Sequence, residues 1–449
     1  MTYRPQFHFA PRHGWMNDPN GLVFHDGWWH LFFQHHPDSL SWGPMHWGHA
    51  RSRDLVAWEE LPIALAPDEL GFIFSGSAAV ADDGRLVACF THHSDAGEAQ
   101  SLAFSSDGGG TWEKYPGNPV LTSERRDFRD PKIWRVNDGW KTIVAAGPDT
   151  QLFSSPNLFD WTHESDFPAP VDGWVWECPD LFPLDGGWVL IGSFIVPGQP
   201  HETHYWLGNF DGRAFSPTTG PHRLSFGPDD YAAVSWNNAP DGRRVIVGWM
   251  NSWSYADQTP TENDGFRGAM TLPRELSIRD GRLIQRPVRE LEAFRGAPVR
   301  EEGFRIGKDG GWLVSELGET PFEVDVELAL GGASRVEVGI CWGDVGQSVR
   351  VGYDHRRGEL FVDRSWLGET SFSSQFDRVF STPLRVVETD TLRLHLLVDR
   401  CSVEVFAQDG EAYGAALFFP TSEVEAEVFL EGEGAHLLSG TIWPLRFSG

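Results

Sequence analysis

Residues 22–33 read Leu-Val-Phe-His-Asp-Gly-Trp-Trp-His-Leu-Phe-Phe. Here two runs of strand-forming residues flank an Asp-Gly pair, a combination that strongly predicts a β-hairpin with a two-residue turn. The Asp-Gly signal recurs in steps of 57, 55, 47 and 56 residues, at Asp26, Asp83, Asp138, Asp185 and Asp241. No long helical pattern separates these turns. The sequence therefore predicts an all-β chain made of repeated hairpins.

A second marker, a Ser followed by a Trp six residues later, repeats in phase with the turns. It is found at Ser52 and Trp58, at Ser106 and Trp112, and at Ser155 and Trp161. Each unit therefore contains two hairpins, or four strands. Four-stranded units repeated at this spacing indicate a β-propeller, and we predict five blades within residues 1–290.

The chain changes character after the fifth unit. Residues 291–301 are rich in charge and lose the repeat, so we predict a linker there. Apolar and polar residues alternate in three later stretches, 322–328, 334–340 and 392–396. Alternation of this kind is typical of strands with one buried face. Residues 302–449 are predicted to form a C-terminal β-sandwich.

Composition limits the classes of partner. The 449 residues carry a formal net charge of −28, so no basic surface is expected for nucleic acid or for an anionic membrane. The 21 Trp residues leave aromatic faces for flat ligands such as sugars. The four cysteines lack paired spacing and are expected to be reduced. No secretory signal is visible, which predicts a cytoplasmic protein, or a secreted one if a signal was removed. We expect a monomer or a homodimer.

Three carboxylates share one position relative to the turns. Asp18, Asp130 and Glu177 each stand eight residues before an Asp-Gly turn, as does Ser75. In a propeller the innermost strands surround a central channel, so equal offsets predict that these side chains gather at one end of it. Three acids around one pocket indicate a catalytic site.

The neighbours of the acids suggest different roles for them. Proline follows both Asp18 and Asp130 and restricts their backbones. Glu177 closely follows Trp174 and Trp176 in sequence, and an apolar setting raises a carboxyl pKa, as a general acid requires. Asp130 follows Arg129, which should keep it ionised. One protonated and two charged acids match the requirements of glycoside hydrolysis.

At this point the motifs resemble a known family. The chain is similar to glycoside hydrolase family 32, the β-fructofuranosidases, and within it to sequences of the levanase and exo-inulinase type. The matching motifs are Trp15 to Gly21, Phe74 to Ser77, Arg129 to Pro131, Glu177 to Asp180, Asp230 to Ala233, Trp249 to Asn251 and, in the second domain, Asp399 to Phe406.

The resemblance implies roles for individual residues. Asp18 would be the nucleophile, Glu177 the acid/base and Asp130 the transition-state stabiliser, with retention of configuration and the carboxyl groups of Asp18 and Glu177 about 5 to 5.5 Å apart. No metal or cofactor is implied, and the partner would be a small sugar or a fructan. The predicted substrate-binding residues are Trp15, Asn17, Gln34, Trp42, Phe74, Ser75, Arg129, Asp230, Tyr231 and Trp249.

Several functions remain open at this stage. The leading interpretation is an exo-acting enzyme that releases terminal fructose from sucrose, inulin-type or levan-type chains. Fructosyl transfer would use the same covalent intermediate. An inverting arabinan-degrading propeller hydrolase would need its two carboxyl groups about 6.5 to 9.5 Å apart. A non-catalytic fructan-binding protein would not need all three acids.

Overall fold

The structure is a computed structural model that describes residues 2–137, 139–314, 321–343, 347–376, 379–386, 390–421 and 425–447. Strands dominate these residues, which confirms the predicted all-β class. The helical elements within the described ranges are single turns or short 3-10 segments, at Pro240–Gly242, Ala256–Gln258, Glu262–Asp264, Arg289–Phe294 and Gln408–Gly410. In the part of the chain described, no helix has the length and apolar character needed to cross a bilayer.

Five sheets, antiparallel except for one short parallel pair, make up the first domain. The first contains β1 (Gly14–His25), β2 (Trp28–His36), β3 (His46–Ser52) and β4 (Trp58–Leu65). The second contains β5 (Phe72–Val80), β6 (Leu86–Ser94), β7 (Gly97–Ser105), β8 (Glu113–Lys114) and β9 (Leu121–Thr122). The third contains β10 (Phe128–Val136), β11 (Gly139–Ala146), β12 (Asp149–Ser155) and β13 (Thr162–Pro168).

The fourth and fifth sheets follow the same order. The fourth contains β14 (Val175–Leu184), β15 (Gly187–Ile195), β16 (Glu202–Phe210) and β17 (Phe215–Arg223). The fifth contains β18 (Tyr231–Ser235) and β19 (Val245–Trp249) and, after the short β20 (Phe266–Arg267), also β21 (Arg274–Arg279) and β22 (Arg282–Pro287). β20 pairs with β1 in parallel and thus belongs to the first sheet.

The five sheets form a closed ring. The innermost strands β1, β5, β10, β14 and β18 contact one another in that order, and β18 contacts β1 again. A parallel bridge between Val23 and Asn237 closes the ring, and the Phe24 N–H donates to the Asn237 carbonyl at 3.0 Å. This arrangement is a β-propeller, and the number of sheets agrees with the five blades that we predict.

Each of the two sequence markers, the Asp-Gly pair and the Ser and Trp pair, corresponds to a type of turn in the structure. In the turns at Asp26 and Asp185, the Asp and the following Gly have positive φ, as a type I′ hairpin requires. Asp83 lies in a longer connection between β5 and β6, Asp241 lies in a 3-10 turn, and Asp138 is outside the described residues. The second marker is a side-chain-capped turn after the third strand of a blade. At the first of these turns, Asp54 Oδ1 accepts hydrogen bonds from the backbone N–H groups of Val56 and Ala57, at 3.0 and 2.7 Å.

The second domain is a β-sandwich of two six-stranded sheets. Their strands are β23 (Val299–Arg305), β24 (Gly311–Val314), β25 (Phe322–Ala329), β26 (Arg335–Trp342), β27 (Ser348–Asp354), β28 (Glu359–Asp363), β29 (Val379–Pro383), β30 (Thr391–Asp399), β31 (Ser402–Ala407), β32 (Ala412–Leu417), β33 (Ala426–Glu431) and β34 (His436–Pro444). β23 begins inside the stretch predicted as a linker because it pairs with β34 at the edge of one sheet. Aliphatic side chains from both sheets fill the space between them.

Buried charges join the two domains. His8, from the N-terminal segment, lies between Asp399 and Glu404 of the sandwich, with Nδ1 3.0 Å from Asp399 Oδ2 and Nε2 2.7 Å from Glu404 Oε1. At another point, Asp229 of the propeller accepts a hydrogen bond of 2.6 Å from Arg364 of the sandwich. The side chains in these pairs are fully buried. Because a buried charge without its partner is costly, the pairs fix how the domains are joined.

His8→Gln should destabilise the protein in a pH-dependent manner. Burial lowers the pKa of His8, but its hydrogen bonds to Asp399 and Glu404 outweigh burial and raise it to about 9. A raised histidine pKa gives stability that is fully present below the ordinary value of 6.5 and is lost as the pH rises through about 9. We expect the variant to lose about 3 to 5 kcal/mol at pH 6. Thermal melting of the unmodified protein and of His8→Gln from pH 6 to 10 measures this loss of stability. A difference in stability that stays constant across that range would contradict the prediction.

Candidate active site

The innermost strand of every blade is interrupted at the same end of the channel. The strand register shifts between Met16 and Pro19, Phe74 and Gly76, Arg129 and Lys132, Glu177 and Asp180, and Tyr231 and Val234. These shifts are β-bulges, which turn side chains away from the regular alternation of a strand. Asp130, Cys178 and Ala232, all within bulges, have positive φ values of 62°, 46° and 55°. Non-glycine residues hold such angles at a cost, and they concentrate at functional sites.

The bulges arrange the site in two tiers. We call Asp18, Ser75, Asp130 and Cys178 the floor; each lies within the bulge of its strand. We call Phe74, Arg129, Glu177 and Tyr231 the rim; each is the last paired residue before its bulge. The rim residues are nearer the start of their strands and therefore nearer the open end of the channel. Two acids thus lie on the floor, and one acid lies on the rim.

The equal offset of eight does not mark equivalent positions, contrary to the prediction. Val136, the last paired residue before the turn of the third blade, comes six residues after Asp130. Leu184 pairs with Gly187, so the turn of the fourth blade consists of residues 185–186. Leu184 comes seven residues after Glu177, so Asp130 and Glu177 differ by one position in their ladders. In the ladder, Glu177 is equivalent to Arg129, and Asp130 is equivalent to Cys178.

Neighbouring donors orient the carboxylate of Asp18. Asn17 Nδ2 donates to Oδ1 at 3.0 Å, and Ser75 Oγ donates to Oδ2 at 2.7 Å. Asn17 is in turn held by the indole N–H of Trp15, which donates to its Oδ1 at 2.8 Å. Burial and then the charge of Glu177 raise the pKa of Asp18, and the hydrogen bonds from Asn17 and Ser75 oppose that rise. Asp18 is a preoriented carboxylate on the floor of the pocket.

Asp130 faces Asp18 across Cys178. Its Oδ2 accepts a hydrogen bond from the Cys178 N–H at 2.9 Å, and Cys178 Sγ lies 3.6 Å from this oxygen and 3.7 Å from Asp18 Oδ2. The expectation that Arg129 keeps Asp130 ionised is wrong. Burial raises the pKa of Asp130 most, Arg129 lowers it, and the charges of Glu177 and Asp18 raise it further, to about 8. Burial and the two neighbouring acids therefore favour the protonated form of Asp130.

Polar rim residues surround the carboxyl group of Glu177. Arg129 Nη2 lies 3.3 Å from its Oε1, and the Tyr231 hydroxyl donates to its Oε2. Arg129 also contacts Asp127 at 2.7 Å and Glu98 at 3.4 Å. The expected indole environment is wrong, because alternate residues of a strand face opposite sides. Trp176 packs away from Glu177, with its ring 4.5 Å from that of Phe194.

The remaining predicted residues divide between the pocket and its support. Trp42 is 47% exposed and lies edge-on to Phe74, with ring centroids 6.0 Å apart. Gln34 is buried and donates to the Ile73 carbonyl at 3.1 Å. Trp249 has no exposed surface, and its ring lies 6.1 Å from that of Trp15. Trp249 packs behind Trp15 in this structure, and its contact with substrate stays a prediction.

Asp230 is also predicted to bind substrate, and in the structure its side chain is engaged by an arginine. Its carboxylate is buried and accepts hydrogen bonds from Arg274 Nη2 at 3.2 and 3.3 Å. Arg274 also lies over the ring of Tyr413, a residue of the sandwich, at 3.9 Å. Asp230 and Arg274 therefore belong to the junction between the domains. Tyr231, the next residue, points the other way and reaches Glu177.

Several pocket residues lack any motif in the sequence. His93 stacks on Phe74 with ring centroids 4.1 Å apart, and Glu98 binds both His93 and Arg129. The Thr91 hydroxyl oxygen accepts a hydrogen bond from the Asp130 N–H at 3.0 Å. The His201 ring lies 5.5 Å from that of Tyr231. All four belong to neighbouring strands or loops, so strand pairing is the signal that would have identified them.

Comparison with known proteins assigns the chain to a family. A model described as the N-terminal domain of glycosyl hydrolases family 32 matches residues 8–287, and a model of the C-terminal region of that family matches residues 290–444. The chain belongs to glycosyl hydrolase family 32. As a family 32 protein it is a glycoside hydrolase, and the resemblance seen in its motifs is confirmed.

Individual relatives cover nearly the whole family 32 chain. It is 40% identical to a levanase of Bacillus subtilis strain 168, over 99% of this chain and 70% of that protein. It is 36% identical to an extracellular exo-inulinase of Aspergillus niger, over 94% and 90% of the two chains. A crystal structure of exo-inulinase from Aspergillus awamori superimposes with a TM-score of 0.91 at 32% identity, covering 99% of both chains.

Proposed function

We propose that the protein releases terminal β-fructosyl units from sucrose, levan-type or inulin-type chains by retaining hydrolysis. The observation that carries the proposal is the two-tier arrangement of the acids. Asp18, aimed by Asn17 and Ser75, lies on the floor, and Glu177 lies on the rim above it. A fructose ring between the tiers has its anomeric carbon next to Asp18 and its glycosidic oxygen next to Glu177. The levanase and exo-inulinase relatives support this substrate class.

The first half of the reaction forms a bond to the enzyme. A carboxylate oxygen of Asp18 attacks the anomeric carbon as the bond from that carbon to the leaving oxygen breaks. The proton of Glu177 passes to the leaving oxygen, so the departing sugar leaves as a neutral alcohol. Glu177, now ionised, is stabilised by Arg129 and by the hydroxyl of Tyr231. The product of this step is a fructosyl ester of Asp18.

The second half of the reaction reverses these roles. Glu177 takes a proton from water, the water oxygen bonds to the anomeric carbon, and the ester bond to Asp18 breaks. Two displacements at one carbon return the original configuration. If another sugar replaces water, the same intermediate yields fructosyl transfer.

Asp130 acts on the hydroxyl groups of the ring. Burial and the charges of Glu177 and Asp18 raise its pKa and so favour the protonated carboxyl group. A protonated carboxyl group can donate a hydrogen bond to one sugar hydroxyl and accept one from another. Its Oδ2 is already fixed by the backbone N–H of Cys178, so the orientation of the group is preset. Asp130 therefore holds the ring against Asp18 while positive charge develops on it.

A groove beside the pocket gives room for the rest of a fructan chain. It has a volume of about 560 Å³, and its lining includes His93, Glu98, Arg125 and Arg126. His93 and Glu98 connect the groove to the rim through Phe74 and Arg129. The lining carries both signs of charge and so suits a neutral chain. The groove supports polymeric fructans as substrates alongside sucrose.

The deciding experiment identifies the products from sucrose, inulin and levan. We expect fructose from at least one of them, and a fructose yield of zero from all three would overturn the proposal. Reaction in aqueous methanol traps the sugar as a methyl fructoside. A methyl β-fructofuranoside indicates retention, whereas the α-anomer would favour the inverting alternative. Accumulation of longer oligosaccharides at high sucrose concentration would favour fructosyl transfer over hydrolysis.

Ser75→Ala should move the acidic limb of the activity profile to higher pH. The hydroxyl of Ser75 donates to Asp18 and lowers its pKa, which burial raises. Without that hydrogen bond the nucleophile becomes protonated at higher pH, and kcat/KM at acidic pH should fall about tenfold. Measurement of kcat/KM against pH tests this. Ser77→Ala is the matched control, because the Ser77 hydroxyl donates its hydrogen bond to the Pro131 carbonyl and not to an acid. If the acidic limb of the activity profile of Ser75→Ala stays where it is in the unmodified protein, the assigned contact between Ser75 and Asp18 is contradicted.

A further inference from the structure

Several acids share the guanidinium group of Arg129. Its Nη2 lies 3.3 Å from Glu177 Oε1. Its Nη1 donates to Asp127 Oδ1 at 2.7 Å and lies 3.4 Å from both carboxylate oxygens of Glu98. Asp130 Oδ2 lies 4.0 Å from Nε. Four carboxyl groups therefore face one cation, and Glu177 and Glu98 use different nitrogens of it.

The position of Glu98 follows from strand pairing. Glu98 lies near the start of β7, opposite His93 of β6. Alternate residues of a strand face the same side, so Glu98 and Gln100 point in one direction. Gln100 donates to the Phe128 carbonyl at 2.7 Å, which holds this face of β7 against the start of β10. Glu98 is thereby brought to Arg129, the residue that follows Phe128.

Glu98 is not required merely to hold Arg129 in place. Asp127 makes the shorter contact with Nη1, at 2.7 Å, and its side chain is 42% exposed, so water stabilises its charge. The side chain of Glu98 is only 9% exposed. A carboxylate loses hydration on burial, and other acids close by add to the cost. The charge of Glu98 therefore indicates a role beyond the stability of the fold.

The chemistry of a general acid supplies that role. A cation as close as 3.3 Å favours the ionised form of a carboxyl group, whereas a general acid must carry a proton until the leaving oxygen takes it. Burial lowers the pKa of Arg129, but the charges of Glu177, Asp130 and Glu98 outweigh burial and raise it well above its ordinary value. The negative charge of Glu98 thus acts on this guanidinium group and offsets part of the positive charge that faces Glu177.

We infer that Glu98 is a positioning residue, which acts through Arg129 to keep Glu177 ready to donate a proton. This inference rests on the proposed function, in which Glu177 is the general acid. Glu98 itself touches neither the sugar nor the reacting atoms. Its effect is to weaken the hold of Arg129 on the ionised form of Glu177.

The test compares Glu98→Gln with the unmodified protein across the pH range. The amide keeps the shape of the side chain and removes its charge. Arg129 then favours ionised Glu177 more strongly, so the basic limb of kcat/KM for sucrose should move about one pH unit lower. At a pH on the shifted limb, kcat/KM should fall about tenfold. The acidic limb should stay in place, because the donors to Asp18 are unchanged.

A fructoside whose leaving group needs no proton separates Glu177 from the other titratable groups nearby. Besides Arg129, the groups that face Glu177 are Tyr231, His201, Asp18 and Cys178, and His93 faces Glu98. Asp130 would respond to Arg129 in the same direction as Glu177, but its limb would appear with every substrate. The loss in Glu98→Gln should therefore be much smaller with the activated fructoside than with sucrose.

Two further variants separate the charge of Glu98 from its packing. Glu98→Asp keeps the charge and should keep most of the basic limb in place. Glu113→Gln removes one carboxylate from an exposed position on β8 of the same blade, and both limbs should stay where they are. A basic limb that does not move in Glu98→Gln, or that moves equally with both substrates, would overturn the inference. An equal shift in Glu98→Asp would overturn it too.

A measurement without turnover separates this inference from the proposed function. In carbon NMR spectra of protein labelled with ¹³C-glutamate, Glu177→Gln identifies the carboxyl signal of Glu177. Titration of this signal should show the same shift of about one pH unit between Glu98→Gln and the unmodified protein. That shift in a protein that releases no fructose would support the link between Glu98 and Glu177 while the hydrolase function fails. An unshifted signal in a protein that releases fructose would overturn the link alone.

Discussion

Asp18→Asn should lower kcat/KM for sucrose on the order of 10⁴-fold or more, the scale seen when a covalent nucleophile is removed. The amide keeps the shape of the side chain but cannot attack the anomeric carbon. Ser75 and Asn17 remain to hold it, so the pocket should keep its geometry and its affinity for fructose. Measurement of kcat/KM together with fructose binding separates lost chemistry from lost structure.

The matched control for this change is Asp26→Asn. Asp26 belongs to the same hairpin, and its side chain is 83% exposed at the turn, so turnover should stay at the level of the unmodified protein. Azide added to an Asp18→Ala variant should enter the space of the carboxylate and yield a fructosyl azide of inverted configuration. Undiminished turnover in Asp18→Asn would exclude the enzyme mechanism as drawn and favour a sugar-binding role.

Glu177→Gln should produce a loss that depends on the leaving group. General acid catalysis contributes roughly 10² to 10⁴ in rate, so hydrolysis of sucrose should fall by that factor. A fructoside whose leaving group departs without a proton should lose much less in the first step. Comparison of kcat/KM for sucrose and for such an activated fructoside measures the difference.

The control for the acid is Glu59→Gln, on the outer strand β4, where the side chain pairs with Arg51 at 2.9 Å. This change removes a carboxylate without approaching the pocket. Equal losses on both substrates in Glu177→Gln would count against proton donation and would indicate that Glu177 holds Arg129 and Tyr231 in place instead.

The sequence predicts the fold well because its signals are local. An Asp-Gly pair between two β-rich runs determines a hairpin by itself, and the Ser and Trp marker determines the turn after the third strand. Asp18 and Asp130 reach the pocket because each lies at a fixed distance along an innermost strand. The resemblance to the family then supplies the catalytic role of each acid, because these roles depend on contacts between distant parts of the chain.

Features that depend on strand register were not predictable from spacing. Whether Glu177 lies on the rim or the floor is decided by which residues occupy the turn, a difference of one position. The environment of Asp130 comes from Glu177 and Asp18, which belong to other blades, so its pKa could not be inferred from Arg129 alone. Asp230 and Tyr231 are adjacent in sequence, yet they face different parts of the molecule.

The closure of the propeller also determines when, during synthesis, the catalytic pocket is complete. Asp18 is made well before the strand that completes its surroundings, which ends at Ser235, and the bridge at Asn237 follows that strand. A nascent chain shorter than this has a nucleophile without a pocket. Contacts between such distant parts of a chain form slowly. Catalysis therefore has to follow closure of the ring. A cut that frees the N-terminal strand removes the nucleophile and also opens the ring, because β1 is one of its five innermost strands.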